Sequence, residues 1–191
     1  VALIQSNLSW NDPLANKNHF GALLTSVTGA DLIVLPEMFT TAFCMEGSAE
    51  SMDGTSVQWM LQKAKSLNAA VCGSLIIRED NQQYNRFLWV TPNGEVECYD
   101  KRHLFSLMGE QEQFVAGVDR KLIQYKGWRI FPQVCYDLRF PVFSRNDLGY
   151  DVLLYVANWP ASRILAWDKL LQARAIENQS YVVGVNRVGN D

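Results

Sequence analysis

The sequence predicts an α/β fold in which amphipathic helices pack on a mixed β-sheet. Apolar runs of strand length alternate along the 191 residues with segments whose apolar side chains recur at helical spacing. Two of the runs flank Pro92-Asn93-Gly94, a tight-turn sequence that predicts a β-hairpin and therefore some antiparallel pairing. The alternation does not count the sheets, so one sheet and two sheets between helical layers both remain open.

The first half of the chain predicts two helices among five strands. Asp12 is a favourable helix cap and Pro13 suits the first helical turn. Apolar residues then follow at helical spacing, at Phe20, Leu23, Leu24 and Val27. The expected order is strand 1–5, helix 13–28, strand 31–35, a polar surface loop over 40–54, a helix near 57–67, strand 70–77, and hairpin strands 85–91 and 95–100.

The second half predicts two helices and three strands after an irregular stretch. The long helix has Ile164, Trp167, Leu170 and Leu171 on one face. The expected order is irregular 104–120, strand 128–134, a short helix near 141–147, strand 151–157, a helix near 161–178, and strand 181–186. The chain begins inside a strand and ends in a loop-like sequence. We therefore expect residues 1–191 to form a single domain of a protein that continues at both ends.

Composition excludes several classes of protein. A hydrophobic content of 48%, a charged content of 19% and a net charge of −3 are typical of a globular protein. We expect no nucleic-acid partner because no Lys/Arg stripe is present, and no membrane partner because no apolar run is long enough. The four cysteines, at positions 44, 72, 98 and 135, form no C-x-x-C pair. This spacing predicts reduced thiols in a cytoplasmic protein and no metal site.

Reactive side chains directly follow several of the predicted strands. Glu37, Lys101 and Cys135 stand at three of these strand ends, and Asn158 stands at a fourth. Ligands and catalytic groups collect at the carboxyl ends of strands in α/β sheets. A carboxylate, an ammonium and a thiol brought together there supply a base, an oxyanion stabiliser and a nucleophile.

Each of these residues also has an ordinary structural interpretation. A buried Cys135 can be an inert small hydrophobe, Glu37 a helix cap, and Lys101 a solvated charge. The usual proton acceptor for a catalytic thiol is histidine, but neither His19 nor His103 is required by the pattern. A buried carboxylate can replace it, and Glu37 has apolar neighbours suited to that role.

Three motifs in order make a family resemblance specific. They are Leu35-Pro36-Glu37, Asp100-Lys101-Arg102-His103-Leu104-Phe105 and Val134-Cys135-Tyr136-Asp137-Leu138-Arg139-Phe140-Pro141. Together they resemble the Glu-Lys-Cys motifs of the nitrilase superfamily of carbon–nitrogen hydrolases. With Asn85-Arg86, 155–160 and 173–179 the sequence is similar to the bacterial ω-amidase branch. The resemblance implies an α-β-β-α sandwich, whose C-terminal part is missing here, and an enzyme without a cofactor.

The resemblance also implies a role for each site residue. Cys135 attacks an amide carbon, Glu37 moves the proton, and Lys101 with the backbone N–H of Tyr136 holds the oxyanion. Many family members have a second carboxylate after the lysine motif. Glu110 is the best match to it, and Glu112 is a weaker one.

Candidates for binding the substrate surround these residues. Arg139 either contacts the substrate or forms an ion pair with Asp137, and the ion pair is the favoured reading. Trp159 and Phe43 either line a small pocket or fill the core, and the turn at Asn158 offers backbone groups. We expect a homodimer formed through residues 140–146 and the helix from Ala161. Its expected apolar contacts are Phe143, Ile164 and Trp167.

The expected function is hydrolysis of small ω-amides of dicarboxylic acids, such as 2-oxoglutaramate or 2-oxosuccinamate, with a small-molecule amide as the binding partner. Other hydrolases of small amides or carbamoyl groups, and an acyl-transfer enzyme, are alternatives within the superfamily. A non-catalytic interaction module is the alternative in which the protein is not an enzyme. A redox-sensing thiol protein is less favoured because no resolving cysteine is evident.

Overall fold

The computed structural model describes residues 1–189, in which two β-sheets lie face to face. The strands are β1 Ala2–Leu3, β2 Leu32–Val34, β3 Ala70–Glu79, β4 Gln82–Val90, β5 Val96–Asp100, β6 Ile123–Tyr125, β7 Trp128–Val134, β8 Val152–Ala157 and β9 Tyr181–Asn186. The α-helices are α1 Pro13–Leu24, α2 Thr55–Leu67, α3 Glu110–Gln113, α4 Pro141–Ser144 and α5 Ile164–Asn178. Short 3₁₀ turns cover Ser106–Met108, Cys135–Arg139 and Ala161–Arg163.

Each sheet contains both parallel and antiparallel pairs. The first sheet has the order β1-β2-β3-β4-β5, with β1, β2 and β3 parallel and the β3–β4 and β4–β5 pairs antiparallel. The second has the order β6-β7-β8-β9, with an antiparallel β6–β7 pair followed by parallel pairs. The predicted mixed pairing is therefore confirmed, and the sheets number two.

The alternation of side chains along the strands builds the layers. Leu32, Val34 and Trp89 on one face of the first sheet pack in the core shared with the second sheet. Ile33 and Leu88 point to the opposite face and pack in a separate core with residues of α1 and α2. Helix α5 contacts β9, and the core residues of the second sheet include Trp167. The layers thus follow the order helix, sheet, sheet, helix, which confirms the α-β-β-α sandwich.

Several predicted boundaries are wrong for local reasons. Helix α1 ends at Leu24 rather than near residue 28. The Thr25 and Ser26 hydroxyls donate hydrogen bonds to the Ala22 and Leu23 carbonyls and compete with helical bonding. The predicted helix 141–147 is a single turn that stops at Ser144.

Two further stretches differ from the sequence interpretation. Strand β6, Ile123–Tyr125, lies in a stretch for which no element was predicted, and three residues are too few for a period to show. The predicted surface loop 40–54 is partly internal, because Thr40, Thr41 and Ala42 are buried. Within residues 1–189 no helix is both long and apolar enough to cross a membrane.

Candidate active site

Four strand ends deliver polar side chains to the same end of the sandwich. Glu37 lies just after β2, Lys101 after β5, Cys135 after β7 and Asn158 after β8. Lys101 Nζ lies 2.9 Å from Glu37 Oε1, and the Asn158 backbone N–H donates to Glu37 Oε2 at 2.7 Å. The structure thus brings together the residues that the sequence places at separate strand ends.

Lys101 is fully buried between two carboxylates that are also fully buried. Besides Glu37, its ammonium contacts Glu110 Oε1 at 3.0 Å and Oε2 at 2.9 Å. Burial lowers the pKa of Lys101, but the charges of Glu110 and Glu37 outweigh burial and raise the pKa above its usual value. Glu112 is exposed, so Glu110 is the carboxylate that joins the site.

A buried amide holds the two carboxylates in position. Asn85 Nδ2 donates to Glu37 Oε1 at 2.8 Å and to Glu110 Oε1 at 3.2 Å. Its Oδ1 accepts from the Ser74 hydroxyl at 2.8 Å, and that hydroxyl accepts from the Met38 backbone N–H at 2.9 Å. Sequence reasoning missed Ser74 and Asn85 as parts of the site. The available signal was a polar side chain inside an apolar strand.

Cys135 is 8% exposed and has a φ of +45°, in the left-handed region that residues with a Cβ seldom adopt. Such strained conformations cluster at functional sites. Burial raises the pKa of the Cys135 thiol well above its usual value. The negative charge of Glu37 and a hydrogen bond to it raise that pKa further, and Lys101 opposes them. The group therefore rests as a thiol next to a carboxylate that can accept its proton.

Asp137 stabilises the turn that contains Cys135. Its Oδ1 accepts from the His103 backbone N–H at 2.9 Å and pairs with His103 Nδ1 at 2.7 Å. Its Oδ2 accepts from the Tyr99 hydroxyl at 2.7 Å and from the Val134 backbone N–H at 3.0 Å. The expected ion pair between Asp137 and Arg139 is therefore wrong, because His103, Tyr99 and the backbone occupy both carboxylate oxygens.

A cavity of about 410 Å³ opens at Cys135 and Lys101. The predicted substrate-binding residues all line it, namely Phe43, Tyr136, Arg139, Asn158 and Trp159. The guanidinium of Arg139 lies 5.0 Å from the centre of the Trp159 ring. Trp159 is also 4% exposed and part of the core, so it both lines the cavity and packs in the core.

Three arginines line the cavity among mostly apolar side chains. They are Arg139, Arg163 and Arg187. The guanidinium of Arg163 lies 5.4 Å from the centre of the Phe105 ring. Sequence reasoning missed Arg187, although it directly follows β9 as the other site residues follow their strands. Among residues 1–189 no cluster of three or more His, Cys, Asp or Glu side chains has the arrangement of a metal site.

Two facing sheets with helical outer layers, and a buried thiol, ammonium and carboxylates at one end, define a class of α/β amidohydrolase. A family model described as carbon–nitrogen hydrolase matches residues 1–191. The chain belongs to this family.

Two related proteins and one crystal structure agree with this assignment. Omega-amidase YafV of Escherichia coli K12 is 53% identical over 100% of this chain and 75% of that protein. 2-Oxoglutaramate amidase of Bacillus subtilis is 33% identical over 100% of this chain and 77% of that protein. The crystal structure of XC1258 from Xanthomonas campestris, a CN-hydrolase superfamily protein with an arsenic adduct in its active site, matches with a TM-score of 0.95 and 48% identity. That match covers 98% of this chain and 75% of that one.

Proposed function

We propose that this protein hydrolyses the ω-amide of short dicarboxylic acids, of the 2-oxoglutaramate or 2-oxosuccinamate type, to the acid and ammonia. The proposal rests on one observation, which is that a thiol and several arginines line the same cavity. Cys135 lies at a cavity that Arg139, Arg163 and Arg187 also line. An ω-amide presents an electrophilic carbon to a thiol at one end and a carboxylate to arginines at the other. The similarity to omega-amidases and 2-oxoglutaramate amidases supports the same substrate class.

The acylation half-reaction begins with the resting thiol. Glu37 accepts the Cys135 proton as the sulfur attacks the amide carbon, and a C–S bond forms. The carbonyl oxygen becomes an oxyanion that Lys101 and the backbone N–H of Tyr136 stabilise. Glu37 then donates the proton to the amide nitrogen, the C–N bond breaks, and ammonia leaves behind a thioester on Cys135.

Water completes the cycle by the same proton route. Glu37 accepts a proton from a water molecule as the water oxygen attacks the thioester carbon. The C–S bond breaks, the sulfur regains a proton, and the carboxylic acid is released. No cofactor takes part in these steps.

The hydrogen bonds of Lys101 restrict how it stabilises the oxyanion. An ammonium has three donors, and Glu37 and the two oxygens of Glu110 receive contacts from all of them. Lys101 therefore acts through its charge, and it donates a hydrogen bond to the oxyanion by releasing one of its two contacts with Glu110. Glu110 keeps the ammonium in place and charged while this exchange occurs.

The remote carboxylate of the substrate is bound by the arginines of the cavity. The ring of Trp159 holds Arg139 from one side, which orients its fork of donors before the substrate arrives. Phe43 and Trp159 limit the length of the substrate. Other small amides and carbamoyl compounds are alternative substrates for the same mechanism. A non-catalytic interaction module is the alternative in which no reaction takes place.

Two substrates of similar length test the assignment. 2-Oxoglutaramate carries the remote carboxylate and butyramide lacks it, so the proposal predicts a much higher kcat/KM for 2-oxoglutaramate. Arg139→Ala should lower kcat/KM for 2-oxoglutaramate by about 10- to 100-fold, since a charged hydrogen bond contributes about 1.5–3 kcal/mol, and should spare butyramide. Equal values for the two amides in the wild type would remove the ω-amidase assignment. Absence of any amide hydrolysis would favour the interaction module.

The proposal extends to location and assembly, with the protein acting in the cytoplasm as a homodimer. Of the three expected contacts, Ile164 is 42% exposed and available to a partner, whereas Trp167 is buried and Phe143 packs against Phe131. Val142 and Leu165 add further apolar surface, since they are 75% and 70% exposed. Sedimentation at micromolar concentration should show a dimer, and Leu165→Glu should convert it to a monomer if this face is the interface.

A further inference from the structure

Asn158 carries three polar groups beside the site, and two of them are bound to Glu37. Its backbone N–H donates to Glu37 Oε2 at 2.7 Å, and its side-chain Nδ2 donates to the Glu37 backbone carbonyl. Because only the amide nitrogen can donate to a carbonyl, these contacts fix which terminal atom is the oxygen. That oxygen, Oδ1, is buried and accepts no hydrogen bond within the part of the chain that the structure describes.

An unpaired buried acceptor is costly, about 1–3 kcal/mol, and therefore calls for an explanation. The other unpaired buried side-chain atoms among residues 1–189 belong to Trp89, Arg120, Gln133, Arg174 and Ser180, none of which lines the cavity. Asn158 does line the cavity, together with Cys135 and Lys101. Of the residues with an unpaired buried side-chain atom in this part of the chain, Asn158 is thus the one that also lines the cavity.

We infer that Asn158 Oδ1 accepts a hydrogen bond from the N–H of the scissile primary amide and so selects amides over esters. The inference rests on the proposed function and assigns one more contact within it. The leaving nitrogen has two N–H groups, and an acceptor fixed to Glu37 places that nitrogen next to the carboxylate that must protonate it. A residue held at both its backbone and its side chain by Glu37 keeps this geometry without reorganisation.

The same contact favours release of the product. After hydrolysis the acid has no N–H to offer, and its carboxylate oxygens face an acceptor oxygen. Two acceptors in contact without a proton between them repel each other. The site therefore binds the amide in preference to the acid that it produces, and an ester lacks the contact for the same reason.

The test compares two donors of the same acyl group, 2-oxoglutaramate and the ω-methyl ester of 2-oxoglutarate. Both form the same thioester on Cys135, so the ratio of their kcat/KM values reports acylation alone. Asn158→Ala should lower kcat/KM for the amide about 10- to 100-fold more than for the ester, since a lost acceptor leaves a buried N–H unpaired. Asn158→Asp keeps an acceptor oxygen and loses the donor, so it should lower both rates with little change in their ratio.

Each outcome separates this inference from the proposed function. An equal fall for both donors in Asn158→Ala would mean that Asn158 only positions Glu37, and the inference would be wrong. A wild-type enzyme that hydrolyses no amide would contradict the proposed function itself. Asn158→Leu, which keeps the volume of the side chain without its polar atoms, replaces Asn158→Ala if circular dichroism shows that the alanine variant is unfolded.

Discussion

Replacing Glu37 by glutamine should make the Cys135 thiol easier to ionise and should nevertheless slow turnover. Besides the Cys135 thiol, three donors contact the Glu37 carboxylate: Asn85 Nδ2 at 2.8 Å, Lys101 Nζ at 2.9 Å and the Asn158 N–H at 2.7 Å. Glutamine offers one oxygen and one NH₂ group, so in either orientation the NH₂ group faces a donor. Leaving that donor unsatisfied costs about 1–3 kcal/mol of folding stability.

The catalytic cost of Glu37→Gln is larger than its structural cost. Glutamine cannot accept the thiol proton, and a positioned base contributes roughly 10²–10⁴-fold in rate, or about 3–5 kcal/mol of barrier. The pKa of Cys135 should fall in the same variant, because burial and the Glu37 charge raise it while Lys101 opposes them. The sulfur therefore becomes easier to ionise while the enzyme turns over far less substrate.

The assay combines ammonia release with alkylation of Cys135 by iodoacetamide across a range of pH. A Cys98→Ser background is needed because Cys98 is an exposed free thiol, and Cys135→Ala provides the blank. We expect the alkylation profile of Glu37→Gln to shift to lower pH and its kcat/KM to fall by at least about 100-fold. A profile that shifts to higher pH, or turnover near that of the wild type, would refute the assignment of Glu37 as the base.

Three other predictions follow from the buried ionisable groups. Lys101→Met should abolish turnover and cost about 3–5 kcal/mol of stability, because it leaves the Glu37 and Glu110 carboxylates without a cation; urea unfolding measures this, and a loss below about 1 kcal/mol would contradict it. Asp137→Asn presents an NH₂ group to two of four donors, so calorimetry should show a stability loss of about 2 kcal/mol. The folded Cys135 pKa lies above the unfolded value, so the native state holds more protons at alkaline pH. Its stability should fall as pH rises past about 8.5, by up to about 1.4 kcal/mol per pH unit, and Cys135→Ala should reduce this slope.

The sequence predicts the reactive side chains well because each one lies at or just after the end of a predicted strand. Glu37, Lys101 and Cys135 could be located without any knowledge of the sheets, since parallel strand ends converge in α/β folds. The choice of Glu110 over Glu112 came from the family resemblance, and no spacing argument separates the two. Burial separates them, because Glu110 is fully buried while Glu112 is exposed.

The supporting network could not be read from the sequence because it depends on strand register. Ser74 pairs with Phe87 and Asn85 pairs with Ile76 across the β3–β4 hairpin, and this register places Ser74 Oγ against Asn85 Oδ1. A shift of one residue between the strands would place the two side chains on opposite faces of the sheet. Asp137 was assigned to Arg139 for a similar reason, since its true partner His103 is 34 residues away in sequence.

The element boundaries that were predicted wrongly depend on local hydrogen bonds and strand pairing, which the spacing of apolar residues does not show. Val27 continues the helical spacing of α1, yet the hydroxyls of Thr25 and Ser26 end the helix first. Strand β6 is specified by its pairing with β7 and not by its own three residues.

Trapping the acyl-enzyme tests the central claim most directly, which is that Cys135 carries the acyl group of the substrate. Wild-type protein is mixed with excess 2-oxoglutaramate, quenched in acid during turnover, and measured as intact protein and as peptides by mass spectrometry. We predict one added acyl group, located on Cys135, and neither adduct nor ammonia release in a folded Cys135→Ala variant. An adduct on another residue, or ammonia release by Cys135→Ala at the wild-type rate, would contradict the account.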